Sequence, residues 1–521
     1  MIQIKILIIT GKQSYPIIKK VIKSVKTHTI EIEEAPISVS AFLNESLTEA
    51  ILKAKSIFTY DLVLLPGFVQ WDSTALEEKF SVRIRKGPEF ASDLPPLLKN
   101  LEKVDLSNTV PANKLFERLG EALYNQIVQE QYETAKENLG PHTFYINEEK
   151  SDLIIGRNLP PSIIAEIVNC TSKSDKSILE KAQHYINSGA DIIDIGCVSN
   201  KPNPMRVKEI IQILRKNFNI LLSIDSMAFS EILAAVDVNI DMILSLDIGN
   251  YKDFINIPKN IPIVILPTNI KEGSFPKYPK SRIENLLILT KKLRNHGFTK
   301  LIADPLLETP ISPGLSNSLE AYFLYKKLPP REQLPLFFGV SNVVELMDID
   351  SVGINGLLAT IAVELDMGVL FTVEHSAKLH GGVRELKDSI KLNYLAKYKK
   401  TPPINQGLSV FKAKGKTSQK LPQIKDVNAI FVDKLIKEYI PDDKGYFRIY
   451  VNQYARKIYV LFYSNKDILL HTFIGENAEA LSKEIIKQNL TRDLFHLNYL
   501  GRELNKAEIS LLLGKPYIQD E

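Results

Sequence analysis

Residues 176–196 read KSILEKAQHYINSGADIIDIG, and this stretch decides the fold. Ile178, Leu179, Ala182 and Ile186 recur at the spacing of one helix face. Gly189 then supplies a left-handed stop. GADIIDIG follows as the next strand, and its near-continuous apolar run suits a parallel strand buried on both faces. Working outward, similar runs recur between Pro161 and His375: PSIIAEIVN, ILLSID, MILSLD, IPIVILP, LIAD, LPLFFGVSN and VLFTVEH. Helical spacing lies between most of them, near 205–217, 228–236, 280–296, 316–328, 353–367 and 382–399. Strand–helix alternation over roughly 245 residues has the size of a closed (β/α)8 barrel, with an open doubly wound sheet as the alternative. The predicted class is α/β: a TIM barrel over about 155–400, flanked by an N-terminal α/β (flavodoxin-like) domain and a small C-terminal α+β domain.

Most of the runs stop on a hydrogen-bonding side chain. The stops are Asn169, Asp194, Asp225, Asp247, Thr268, Asp304, Asn342 and His375. In a closed barrel the carboxyl ends of the strands converge on one site, so these residues predict a pocket ringed by carboxylates and amides. An oxygen-rich ring suits a hard cation, or a heterocycle with adjacent N–H donors that a carboxylate can accept as a pair. For any single aspartate the plainer role is capping the next helix, which weighs most for Asp247.

The flanks are read the same way. IQIKILIIT, TIEIEEA and DLVLLPG are strands, with helices YPIIKKVIKSV and ESLTEAILKAK between them, in a domain over residues 1–140. The basic run Arg83–Pro88 is expected to be a solvated loop, with anion binding as the less favoured reading. A long helix from about Asn113 to Asn138 closes this domain. Lys397 to Lys425 holds eight lysines and no acid, which predicts a basic linker or strap over 401–426. The last part, 427–521, reads as two paired strands in FRIYVNQYARKIYVLFYS, a third in ILLHTFIG, and helices. A net charge of +4 over 521 residues gives no footprint for nucleic acid, and no apolar stretch has the length of a membrane span. MIQIKILIIT reads as a strand and not a signal peptide, and two cysteines, Cys170 and Cys197, make no disulfide framework. The expected location is cytoplasmic.

The segments AEIVNCTSKSD, GADIIDIGCVSNKP, LLSIDS, LIADP and FFGVSN resemble, in this order, the pterin-binding barrel of dihydropteroate synthases and pterin-dependent methyltransferases. The three-part layout is similar to that of archaeal dihydropteroate synthase-related proteins. The resemblance implies that Asp225 and Asp304 hold a pterin ring, that Asp194 supports the pocket floor, and that Asn169 lies near the diphosphate and any Mg²⁺. Asn342 joins Asp225 and Asp304 as a candidate catalytic residue, and Asp247 joins the pterin-binding set. Leu246 stands where these enzymes often have an asparagine.

Two departures bear on the chemistry. Ser341-Asn342-Val343 replaces the Ser-Arg-Lys of synthases, and Thr372-Val373-Glu374-His375 lacks the arginine of their Arg-x-His. Lys201, His375, Lys378 and Arg384 are the cations expected to meet an anion or second substrate, with His380 close by in sequence. The implied activity is a transferase that joins a dihydropterin methylene to an arylamine as diphosphate leaves, in archaeal folate or tetrahydromethanopterin biosynthesis. The alternatives are a methyl-pterin:corrinoid methyltransferase, which would need a corrinoid protein as partner, and a noncatalytic pterin-binding protein. A homodimer is a further expectation.

Overall fold

A computed structural model of the chain describes residues 3–118, 120–411 and 442–520. Most of the basic stretch expected as a linker, and the start of the segment after it, lie outside the described residues. The chain forms two compact units. One comprises Met1–Val343, Asn355–Thr372 and Val383–Val410; the other comprises Val344–Ile354, Val373–Gly382 and Phe411–Glu521.

The first unit opens with a parallel sheet of β1 (Lys5–Gly11), β2 (Thr29–Ala35), β3 (Leu62–Leu65) and β4 (Arg83–Lys86), in the order β2-β1-β3-β4. The basic run at Arg83 is therefore an edge strand and not a solvated loop. Ile84 is fully buried and draws the strand in. Arg85 pairs with Glu77, and the Lys86 ammonium donates to the Val69 carbonyl at 2.8 Å. The long closing helix divides into a 3₁₀ segment, Ala112–Arg118, and an α-helix, Gly120–Lys136. Gly120 is needed there, because a Cβ would lie 2.4 Å from the Gly407 carbonyl oxygen. The stretch after the barrel thus packs on this domain. Lys399 pairs with buried Asp93, and Asn405 donates to Glu89 at 3.1 Å.

A short hairpin, β5 (Phe144–Tyr145) with β6 (Ile154–Ile155), leads into the barrel. The barrel strands are β7 (Ser162–Ile167), β8 (Ile192–Gly196), β9 (Leu221–Asp225), β10 (Met242–Leu246), β11 (Ile263–Ile265), β12 (Leu301–Ala303), β13 (Leu336–Gly339) and β14 (Met367–Val373). They close into a ring, which confirms the TIM barrel and excludes the open sheet. One apolar layer takes a residue from every strand: Ile164, Ile192, Leu221, Met242, Val264, Ile302, Phe337 and Val369. Phe144, Ile146 and Ile155 of the hairpin region join this layer. Asp241, just before β10, ties the hairpin down by accepting from Asn147 and Lys150.

Side chains alternate along a strand, so the residue two beyond each member of this layer also faces the lumen. That residue is Glu166 on β7, Asp194 on β8, Ser223 on β9 and Asp304 just past β12. Asp225 lies one further step along β9. The lumen is apolar at this layer and becomes acidic toward the carboxyl ends of the strands.

In the second unit, β15 (Tyr446–Asn452), β16 (Lys457–Tyr463) and β17 (Leu469–Gly475) form an antiparallel sheet. Phe447, Ile449, Val460 and Phe462 pack from it against Leu481, Ile485, Leu500 and Leu504 of two helices, Ala478–Lys487 and Leu494–Leu513. Among the described residues no helix is long and apolar enough to cross a membrane.

Candidate functional site

Strand register builds the site's acidic wall. Glu166 stands opposite Asp194 across β7 and β8. Asp194 stands opposite Ser223, and Gly196 opposite Asp225, across β8 and β9. Asp194 is fully buried and its Oδ1 accepts from the Ser223 hydroxyl at 2.6 Å. Its Oδ2 meets no hydrogen-bond partner among the described residues. Burial raises the Asp194 carboxyl well above the usual range, and the neighbouring Asp225 and Glu166 raise it further. Burial raises Asp225 too, against the opposing bond from the Ser245 hydroxyl. An ionised carboxylate is costly in a low-dielectric wall, and a second one beside it more so.

Ser245 was not foreseen. Its φ of 69° and a register shift between Ile243 and Leu246 mark a bulge in β10. Bulges re-aim side chains next to sites. Here the bulge brings the Ser245 hydroxyl to Asp225, while Leu246 is fully buried. Leu246, which stands where the related enzymes often have an asparagine, offers no polar contact, and Ser245 beside it bonds Asp225.

Asp304 follows β12 and is 7% exposed. Its Oδ1 accepts from the Tyr322 hydroxyl at 2.9 Å and the Leu306 N–H at 2.8 Å. Burial lifts its carboxyl to about 6; the two bonds and the charge of Arg282 oppose that rise. Arg282 is itself 1% exposed. It donates to the carbonyls of Pro276 at 3.0 Å and Leu306 at 2.9 Å, and it pairs with Glu308. This holds Leu306 in the left-handed region, at φ 70°, where its N–H faces Asp304. Arg282 lies in the helix Pro279–Asn295, and nothing in its spacing separates it from a solvated helix face.

The remaining expected residues divide. Asp247 is committed to its own loop: Oδ1 accepts from the N–H of Gly249 and Asn250, and Oδ2 from the Thr268 hydroxyl and the Ile270 N–H. Asn342 is exposed and donates to the Leu307 carbonyl at 2.8 Å, in the loop that follows Asp304. Asn169 is exposed, with a left-handed φ of 52°. Lys201 is exposed in the loop after β8.

Arg384 does not stand at the strand carboxyl ends of the first unit. Arg384 donates to the Asn187 carbonyl, at the carboxyl end of the helix Asp175–Ser188. One turn on, Lys387 pairs at 2.9 Å with Asp191, which directly precedes β8. The first turns of the helix Gly382–Lys399 therefore lie beside the entry to β8, away from the strand carboxyl ends. In the second unit, Lys378 donates to the Met347 carbonyl and His375 is exposed. Burial pushes the Cys170 thiol up to about 12 and raises Cys197 as well, so neither is a ready thiolate.

Residues 165–378 match the pterin binding enzyme family, and residues 441–520 match the PterinBD-DUF4346 family. Over 99% of its length the chain is 34% identical to an uncharacterized protein of Methanocaldococcus jannaschii, MJ0107, of which it covers 98%. The chain belongs to the pterin-binding enzyme family. The sequence resemblance to dihydropteroate synthase-related pterin-binding proteins is borne out at this level. Solved structures similar to it include a Yersinia pestis dihydropteroate synthase with a pterine–sulfa conjugate, 18% identical, covering 47% of this chain and 97% of that one at a TM-score of 0.38. Another is the Xanthomonas albilineans dihydropteroate synthase in complex with 7,8-dihydropteroate, 17% identical, covering 47% and 95% at a TM-score of 0.36. Pterin is the ligand class of this family.

Proposed function

We propose that the barrel holds a reduced pterin between Asp225 and Asp304 and joins its exocyclic methylene to an arylamine as diphosphate leaves. The pathway would be archaeal folate or tetrahydromethanopterin biosynthesis. The carrying observation is the pair of lumen carboxylates at the ends of β9 and β12, each steadied by a hydroxyl from its own wall. Such carboxylates accept the ring's N–H groups and stabilise positive charge that develops on the pterin as the methylene–oxygen bond breaks. Asp194 sits on the floor beneath Asp225, and Asp247 serves its loop.

The leaving diphosphate needs positive charge. Lys201, on the loop after β8, is the expected cation best placed to supply it. A Mg²⁺ bound with the diphosphate would add charge neutralisation, and the exposed Asn169 amide offers it one oxygen. Lys201→Ala is expected to raise KM for a dihydropterin diphosphate about ten-fold, the worth of one charge-assisted contact. The affinity for the unphosphorylated pterin should stay as it was, and steady-state kinetics with calorimetry read both.

Asn342 favours a second reading. An amide at the end of β13, tied to the loop after Asp304, suits transfer of a methyl group from the pterin to a corrinoid partner and needs no diphosphate site. Two assays on the full chain separate the readings. Diphosphate release from a dihydropterin diphosphate with an arylamine supports condensation. Methyl transfer from a methylated tetrahydropterin to cob(I)alamin without diphosphate release contradicts it. Pterin binding with neither activity leaves a binding protein.

A further inference from the structure

Glu231 is a buried acid that the chemistry above does not use. It lies in the first turn of the helix Phe229–Asp237 and is 1% exposed. A glutamate at this position ordinarily reaches back to the N–H at the start of its own helix. Here that N–H, on Ala228, donates to the Ser226 hydroxyl at 3.0 Å, and the same hydroxyl donates to Glu231 Oε2. Glu231 Oε1 is left to accept from the Asn203 N–H at 2.8 Å, at the far end of the loop after β8. The Cys197 thiol, at the near end of that loop, bonds the same carboxylate. A charge removed from water needs such donors, and their origin on two neighbouring loops makes the carboxylate a staple between them.

The other ties of the loop lie at its near end and beyond its far end. The Cys197 N–H donates to the Asp225 carbonyl at 3.0 Å, and the Val198 N–H to the Thr171 hydroxyl at 3.3 Å. Asn203 Oδ1 accepts from the Arg206 N–H at 3.1 Å and so caps the next helix, Pro204–Asn217. Lys201 lies between these ties and is exposed.

We propose that Glu231 is a positioning residue: by fixing the Asn203 end of the loop to the end of β9, it holds Lys201 where it meets the anionic group of the ligand. The inference rests on the role given to Lys201 above and adds the residue through which that role is set. Glutamine keeps the device, because its Oε1 accepts from Asn203 and its N–H₂ donates to the Ser226 hydroxyl. Alanine removes it.

The test is titration calorimetry of the full chain with 6-hydroxymethyl-7,8-dihydropterin and with its diphosphate. Wild type is compared with Glu231→Ala, Glu231→Gln, Lys201→Ala and the double alanine variant. Glu231→Ala should lose up to about ten-fold in affinity for the diphosphate, the worth of the charge-assisted contact it positions. Its affinity for the unphosphorylated pterin should be almost unchanged, and Glu231→Gln should restore the wild-type value for the diphosphate. In the Lys201→Ala background, Glu231→Ala should cost nothing further, because both act through one ammonium. If Glu231→Ala weakens both ligands alike, or its loss multiplies with that of Lys201→Ala, Glu231 is a structural tie and the proposal is overturned with the role of Lys201 intact. If Lys201→Ala binds the diphosphate as wild type does, the role of Lys201 fails and this inference with it. A wild type that binds neither ligand removes the pterin reading as well. Should the alanine variant not fold, Glu231→Asp keeps the charge but is one methylene too short to span both loops, and the same outcomes apply to it.

Discussion

Asp304→Asn lowers the affinity of the full chain for a dihydropterin by about 30- to 150-fold, the equivalent of roughly 2–3 kcal/mol for a hydrogen bond to a charged group. Asparagine keeps the shape, and its Oδ1 can still accept from Tyr322 and Leu306. The second oxygen becomes an N–H₂, a donor facing the donors of the ring. The pH profile carries the same information. The Asp304 carboxyl is raised to about 6 in the fold, and it must be ionised to accept ring N–H groups. Wild-type affinity should therefore rise with pH through about 6 and then level off, while the asparagine variant lacks this step.

Stability moves the other way. An acid whose carboxyl is raised by folding costs stability once ionised. That cost is absent below the ordinary aspartate value and fully present above about 6. The variant loses the cost, so its Tm at neutral pH should not fall. Calorimetry and thermal melts across pH 5 to 8 check both signs.

Arg282→Ala produces the largest loss of stability, roughly 3–5 kcal/mol, because it removes a buried guanidinium that serves three loop carbonyls and pairs with the partly exposed Glu308. The carbonyls of Pro276, Pro305 and Leu306 lose their donor, and Glu308 loses its counter-ion. Lysine should rescue little, because a point charge cannot reproduce a planar fork that serves several acceptors. The second effect is on the site. With Leu306 no longer pinned, its N–H is lost to Asp304, and pterin affinity falls in a chain that is still folded below its lowered Tm. Combined with Asp304→Asn, the loss of affinity should be smaller than the product of the two separate losses, since both act through one carboxylate. Denaturant unfolding and titrations of the three variants measure these terms.

The barrel was legible because its strands are buried on both faces, and eight apolar runs interrupted by amphipathic helices have few other solutions. Asp225 and Asp304 stand out in the letters as carboxylates that close apolar runs, and the fold adds their places at the ends of β9 and β12. Glu166 was overlooked because the polar stop of its strand was read at Asn169. Strand alternation from Ile164 places Glu166 in the lumen, whereas Asn169 lies past the end of β7. Ser245 depends on a bulge, which is a local φ change with no marker in the letters MILSLD. Arg282 needs the partner loop to be known before its burial makes sense. The grouping of Lys378 and Arg384 rested on nearness in sequence around Gly381-Gly382. The helix that starts there runs beside the entry of β8, with Arg384 on the Asn187 carbonyl.

The most direct measurement is a structure of the full chain with 6-hydroxymethyl-7,8-dihydropterin bound. The ring is expected inside the barrel at the carboxyl ends of β9 and β12, with its N–H groups on Asp225 and Asp304. A ring bound elsewhere, or a lumen without pterin at saturating concentration, would contradict it.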